Sequence, residues 1–246
     1  MFIYKIIVEY DGTNFVGWQI QKNGFSVQEA IQKTLIKILK EKVILYGSGR
    51  TDAGVHAIAQ SAHFLTTTKI KNKFLFLNTV NFFLNKEKIS ILEKKKKKKK
   101  FHSRHSAKKR FYRYVIINRV SPLSLDLNRA WHIKSALNVD LLKKAGKLLE
   151  GTKDFSTFRS SSCGAESPYR TLEKVTVTKK GNHIIITFKS KSFLQQQVRS
   201  MVGCLKLVGE KKWSLQKFKH VMNSKKRINC APPAPPRGLY LLKVSY

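Results

Sequence analysis

Asp52 occupies the most unusual setting of any potentially reactive side chain in this sequence. It lies in the stretch GSGRTDAGVHA, Gly47 to Ala57, directly after Arg50-Thr51, in a chain with 49 Lys plus Arg against 14 Asp plus Glu and a net charge of +35. An acid in a glycine-rich turn beside an arginine admits two readings. One is a local Asp-Ala-Gly turn in which the carboxylate bonds nearby amides. The other is a carboxylate aimed at an anionic partner, where it can act as nucleophile or base. Taken locally, the residues leave both open.

Other chemistries find less support. Cys163, Cys204 and Cys230 are odd in number, far apart and form no CxxC, which argues against a disulfide framework or a zinc site. No GxxxxGK[ST] loop, deaminase signature or nucleophile elbow occurs. His102 and His105 in "HSRH" sit in a basic segment without nearby acids, so phosphate contact or plain exposure is expected rather than metal binding. The charge favours an anionic polymer or membrane surface, although a lysine surplus is also what a biased genome produces at indifferent positions. From Lys94 to Arg110 the chain carries eleven Lys or Arg and no acid, and "RFYRYVI" follows. Cations interleaved with rings suit single-stranded RNA, since bases stack while cations hold phosphates.

The elements that must position these residues can be read from periodicity. Ile3–Tyr10 alternates as a strand, and "SVQE" at Ser26–Glu29 is a capping box opening a helix with Val27, Ile31, Leu35 and Leu39 on one face. "VILYGSG" reads as a short strand entering the glycine loop, "AIAQSAHFLTT" as another strand, and "KFLFLNTVNFFL" as the source of a second helix. The heptalysine Lys94–Lys100 reads as a self-repelling, solvated loop. Further on, Asn138 caps a helix through Leu149, "TLEKVTVTKKGNHIIITFKS" signals a hairpin, "FLQQQVRSMVGCLKLVG" has helical spacing, and "GLYLLKVSY" is a last strand. Hairpins without regular βαβ alternation predict an α+β fold with largely antiparallel sheets. No signal peptide and no bilayer-length apolar run are seen, so a reducing, cytoplasmic setting without membrane contact is expected.

The long string Gly49-Arg50-Thr51-Asp52-Ala53-Gly54-Val55-His56-Ala57 resembles the catalytic signature of pseudouridine synthases of the TruA type. Further blocks match that family in order: "EYDGTNFVGWQIQ" at Glu9–Gln21, "FHSRHSA" at Phe101–Ala107, "YRY" at Tyr112–Tyr114, "DFSTFR" at Asp154–Arg159, "SPYRTL" at Ser167–Leu172, "FLQQQVRSMVG" at Phe193–Gly203 and "APPRGLYLL" at Ala234–Leu242. Ser48, Ser103 and His105 depart from the usual Ala, Ala and Phe, "FLNKEKIS" lacks a usual proline, and the heptalysine replaces a mixed stretch.

The resemblance implies two α+β subdomains, residues 1–105 with the catalytic loop and 106–246 completing an active-site cleft between them. It implies isomerisation of uridine to pseudouridine at positions 38, 39 and 40 of the tRNA anticodon arm, by a homodimer, without metal or small-molecule cofactor. Asp52 would be the catalytic carboxylate, by direct attack on C1′ or by proton abstraction toward a glycal. Arg199 would pair with it, and Arg50 would hold the place vacated by the flipped base. Tyr112 would stack on the uracil, taken in preference to Tyr114, which is assigned to the opposite face of the strand. Arg104, Lys108, Lys109 and Arg110 are expected to contact the RNA backbone. A noncatalytic RNA-binding protein on the same scaffold, or a synthase with another RNA target, are the competing readings.

Overall fold

The computed structural model describes residues 1–246. In chain order the elements are β1 (Phe2–Tyr10), α1 (Val27–Leu39), β2 (Leu45–Gly47), β3 (His56–Thr66), α2 (Lys73–Leu84), β4 (Ile89–Lys97), β5 (Lys109–Asn118), β6 (Trp131–Ile133), α3 (Val139–Leu148), β7 (Gly151–Asp154), β8 (Tyr169–Lys180), β9 (His183–Ser190), α4 (Gln197–Gly209), α5 (Leu215–Asn223) and β10 (Leu239–Ser245). They form two compact units, Met1–Lys108 with Tyr240–Tyr246, and Lys109–Leu239. The final strand thus returns to the first unit.

In the first unit β1 pairs antiparallel with both β3 and β4, β2 adds antiparallel to β3, and β10 joins β3 in parallel at Tyr240↔His56. Alternation along β1 buries Tyr4, Ile6 and Val8, the period-two signature of a strand with one face on a core. Ser26 is the N-cap, as read: its side chain accepts the Glu29 amide, an interaction of about 1 kcal/mol, while the Glu29 carboxylate pairs with Lys33. Val27, Ile31 and Leu35 are buried. Asn72 caps α2 in the same way through the Leu75 amide.

The heptalysine is not the expected loop. Lys94–Lys97 are strand residues of β4, in register with β1 at Ile6↔Lys94, Lys5↔Lys95, Tyr4↔Lys96 and Ile3↔Lys97. The backbone pairs regardless of side-chain charge, and alternation sends neighbouring lysines to opposite faces, which relieves their repulsion. Long aliphatic stems can cover apolar surface while the amines stay polar. Lys94 itself is buried, its Nζ donating to the Ile70 carbonyl at 3.2 Å and lying 4.7 Å from the Tyr4 ring centre. Burial, then the Lys73 charge, holds its pKa below the ordinary lysine value.

In the second unit β5 pairs antiparallel with β9, β9 with β8, and β8 with β7, while β6 lies parallel to β5. The β8–β9 hairpin turns at Gly181, whose φ of 56° is the left-handed conformation the tight turn needs. Asn138 caps α3 by accepting the Leu141 amide. The architecture is the predicted α+β class, with largely antiparallel strands flanked by helices. Helix α4 starts at Gln197, so Leu194 precedes the helix rather than contributing its first turn.

Candidate active site

The loop carrying Asp52 is held by its own unit from three sides. From below, Ser48 is fully buried; its amide donates to Ser61 O at 2.8 Å and its hydroxyl to Gln60 Oε1 at 2.7 Å, while Gln60 Nε2 donates to Gly49 O at 2.9 Å. The serine that departs from the family pattern therefore finds a buried partner for its added oxygen, as a buried hydroxyl must. From the N-terminal block, the Tyr10 hydroxyl lies 2.8 Å from Thr51 Oγ1, and the Trp18 amide donates to Thr51 O at 3.1 Å. The Gly54 amide reaches Phe15 O at 3.3 Å, and Val55 N closes the turn onto Asp52 O at 3.2 Å. From the C-terminal strand, Tyr240 stacks on His56 with ring centres 4.8 Å apart.

Two glycines are dictated by this packing. A Cβ on Gly12 would lie 2.0 Å from Val55 O, and one on Gly17, whose φ is +115°, would lie 2.5 Å from Thr51 O. The YDG and GW blocks of the sequence are thus the cradle of the Asp52 loop. The result is a half-buried Asp52 next to a buried Thr51, with Arg50 exposed.

The "FHSRHSA" segment is anchored on the same unit. Ser103 donates its amide to His63 Nδ1 at 3.1 Å and its hydroxyl to Tyr46 O at 2.7 Å, and Tyr246 OH donates to Ser61 Oγ at 2.7 Å and lies 2.9 Å from Ser103 O. His63 is buried, and burial, followed by the neighbouring His102, lowers its pKa to about 4. It stays neutral at physiological pH, with Nδ1 free to accept the Ser103 amide. Arg104 projects exposed from this anchored loop, and Lys108 is exposed where the unit ends, its amide on Ser245 O at 2.8 Å.

The remaining expected residues belong to the second unit. Tyr112 is 8% exposed and meets Phe193 edge-on with ring centres 5.1 Å apart. The assignment of Tyr114 to the opposite face is corrected here. Residues two apart on a strand share a face, and both tyrosines are buried while Arg113 between them is not. Burial separates the two instead: Tyr114 is fully buried and its hydroxyl donates to Pro235 O at 2.7 Å. Burial raises the Tyr114 pKa against the opposing pull of Arg199 and Arg237. Tyr114 is a buried, neutral strut.

Arg199 is half-buried on α4, between the buried Val198 and Ser200. Its Nε donates to Ala234 O at 2.8 Å and its own carbonyl accepts Ala234 N at 2.9 Å. The segment 231–238 runs as a strap past the helix: a Cβ on Gly203 would lie 2.1 Å from Pro232 O. The prolines of Ala231-Pro232-Pro233-Ala234-Pro235-Pro236 stiffen this strap, and no sequence motif tells that it packs on α4. Lys109 is engaged by Glu173 at 2.8 Å, a hydrogen bond that raises its pKa, and Lys189 shares that carboxylate at 3.1 Å. Arg110 Nη1 donates to Lys191 O at 2.6 Å.

Comparison with known proteins agrees with the motif order. A family model described as tRNA pseudouridine synthase matches residues 6–106 and 145–246. A tRNA pseudouridine synthase A of Pelagibacter ubique (strain HTCC1062) is 58% identical over 246 residues, covering 100% of both chains. Proteins of the same name from Sinorhizobium medicae (strain WSM419) and Parvibaculum lavamentivorans are 45% identical over 245 residues and 42% identical over 243 residues; the chain is covered to 99% in each case, and those relatives to 99% and 98%.

Proposed function

The chain belongs to the tRNA pseudouridine synthase family and is an enzyme that isomerises uridine in tRNA; on that premise we propose that it acts on the anticodon arm, at positions 38, 39 and 40, with Asp52 as its catalytic carboxylate. The observation that carries this reading is the Asp52 loop. Its neighbours are fixed by backbone and side-chain bonds from β1, β3 and the Trp18 segment, while Asp52 itself stays half-buried rather than sealed into the core.

The reaction breaks C1′–N1 and forms C1′–C5 within one nucleotide, so it needs neither redox partner nor group donor. Asp52 serves either as the nucleophile at C1′ or as the base that takes a sugar proton. Arg199 is the cation we assign to the carboxylate, which it would aim through a charge-assisted hydrogen bond. Its guanidinium is pre-oriented by the bond from Nε to Ala234 O. Arg50, exposed and planar, holds the stack open when the uridine leaves it, a step costing a few kcal/mol. Tyr112 stacks on the flipped uracil. Arg104, Lys108, Lys109 and Arg110 meet backbone phosphates, and two copies of the chain form the working dimer.

The test is pseudouridine formation in tRNA transcripts with uridine at those positions. Asp52→Ala is expected to lose activity by ~1,000-fold or more while still binding tRNA. A variant as fast as the parent protein would remove Asp52 from the chemistry.

A further inference from the structure

Two of the three cysteines, distant in sequence, converge in the second unit. Cys204 Sγ on α4 and Cys230 Sγ lie 3.5 Å apart. Cys204 is fully buried, whereas Cys230 is partly accessible. The pair sits at the root of the strap that holds Arg199. Ala231 N donates to Cys204 Sγ at 3.4 Å, and Ala234 bonds Arg199 through both its amide and its carbonyl. Arg227 reaches Ser200 Oγ at 2.9 Å from the same side. Neither thiol has a part in the isomerisation proposed above.

We propose that Cys204 and Cys230 are a redox modification site, closed to a disulfide by hydrogen peroxide, and that closure displaces the 230–234 strap from its grip on Arg199. The second half of this statement rests on the role proposed for Arg199.

The two thiols are unequal in the way such a pair requires. The hydrogen bond from Cys204, and after it the nearby Arg227, favour the Cys230 thiolate against its partial burial. The hydrogen bond to Cys230 and burial keep Cys204 protonated. Cys230 Sγ attacks a peroxide oxygen; the S–O bond forms, the O–O bond breaks, and the departing hydroxide becomes water on taking up a proton. This leaves a sulfenic acid on Cys230. Cys204 Sγ then attacks that sulfur; the S–S bond forms, the S–O bond breaks, and hydroxide leaves with the Cys204 proton as a second water. Peroxide is reduced by two electrons and the thiol pair oxidised by two. The sulfurs must approach from 3.5 Å to a bond length of about 2 Å. One partner is fixed in a buried helix, so the strap bears most of the movement. Displacements near 1 Å at a catalytic group can cost two orders of magnitude in rate.

The experiment uses the full chain with Cys163→Ala, which removes the third thiol. After hydrogen peroxide and catalase, both remaining thiols are expected to resist alkylation, with one peptide map species joining Cys204 to Cys230. tRNA turnover is expected to fall by ~10-fold or more. Dithiothreitol should restore both. Adding Cys230→Ser should leave turnover insensitive to peroxide, and Cys204→Ala should expose a dimedone-reactive sulfenic acid on Cys230. Two thiols that still alkylate after peroxide overturn the site. A disulfide that forms without changing turnover overturns its link to Arg199. The thiol readout does not depend on turnover, so a reduced protein without activity would count against the tRNA assignment and not against the pair.

Discussion

Replacing His63 by glutamine should flatten the acid side of the protein's stability profile. In the folded chain burial and the neighbouring His102 hold the His63 pKa at about 4, against 6.5 for an unperturbed imidazole. Between these values the unfolded chain binds the proton and the folded chain does not, so stability rises with pH across this window. The contribution is complete above pH 6.5 and is lost as pH falls toward 4. A displacement of this size caps the loss at about 3 kcal/mol, with a slope of at most about 1.4 kcal/mol per pH unit. The local geometry gives the same sign. Nδ1 accepts the Ser103 amide, and a proton there would set two N–H groups against each other and loosen the 101–106 loop. The assay is urea unfolding between about pH 7 and pH 5, a range above the carboxylate transitions. Wild type should lose about 2 kcal/mol of stability over this range from His63 alone. His63→Gln should start less stable but lose less with acid. His102, whose pKa is also lowered by burial and then by His105 and Arg104, leaves a residual slope in both proteins. Equal slopes in the two would refute the assignment of a neutral, amide-accepting His63.

Two further outcomes follow from the packing. Gly17→Ala should destabilise by about 1–3 kcal/mol and reduce turnover more than tRNA affinity, because its Cβ meets Thr51 O at 2.5 Å and its φ is +115°; chemical denaturation and single-turnover kinetics separate the two effects, and unchanged turnover would free the Asp52 loop from this contact. Replacing the exposed Lys95, Lys96, Lys98, Lys99 and Lys100 with glutamine should leave stability within about 0.5 kcal/mol while making tRNA binding less salt-dependent; an unchanged salt slope would mean that this edge does not meet RNA.

Local signals were enough for most elements because each carried its own physics. Ser26 and Asn138 each cap a helix through the amide three residues on, and Gly181 marks its hairpin. The polylysine run misled because composition reports side-chain repulsion, while the strand forms through main-chain pairing with β1, which no property of lysine reveals. Tyr112 and Tyr114 were separable only by burial: their spacing places them on one face, and the distinction comes from Pro235, far along the chain, accepting the Tyr114 hydroxyl. The strap that holds Arg199 was illegible for the same reason, since an Ala-Pro-Pro run does not say what it packs against.

The scarce acids carry a second argument. Glu29 supports Lys33 on α1, Glu93 pairs with Lys95 beside the lysine strand, Glu150 pairs with Lys147 and accepts the Val175 amide, Glu173 joins Lys109 to Lys189, and Glu210 gathers Lys206 and Lys212. Glu41 binds the Thr66–Thr68 turn through hydroxyls and amides, which draws its pKa down to about 2. In a chain this basic, a carboxylate is stabilised almost anywhere, so an ion pair says little about function. What sets the Asp52 loop apart is how it is held. At the other acids the carboxylate itself makes the contacts, to lysine amines or to backbone amides; the Asp52 loop is fixed by bonds that involve Tyr10, Trp18, Ser48 and Gln60. A loop fixed in this way is what the catalytic role proposed for Asp52 requires.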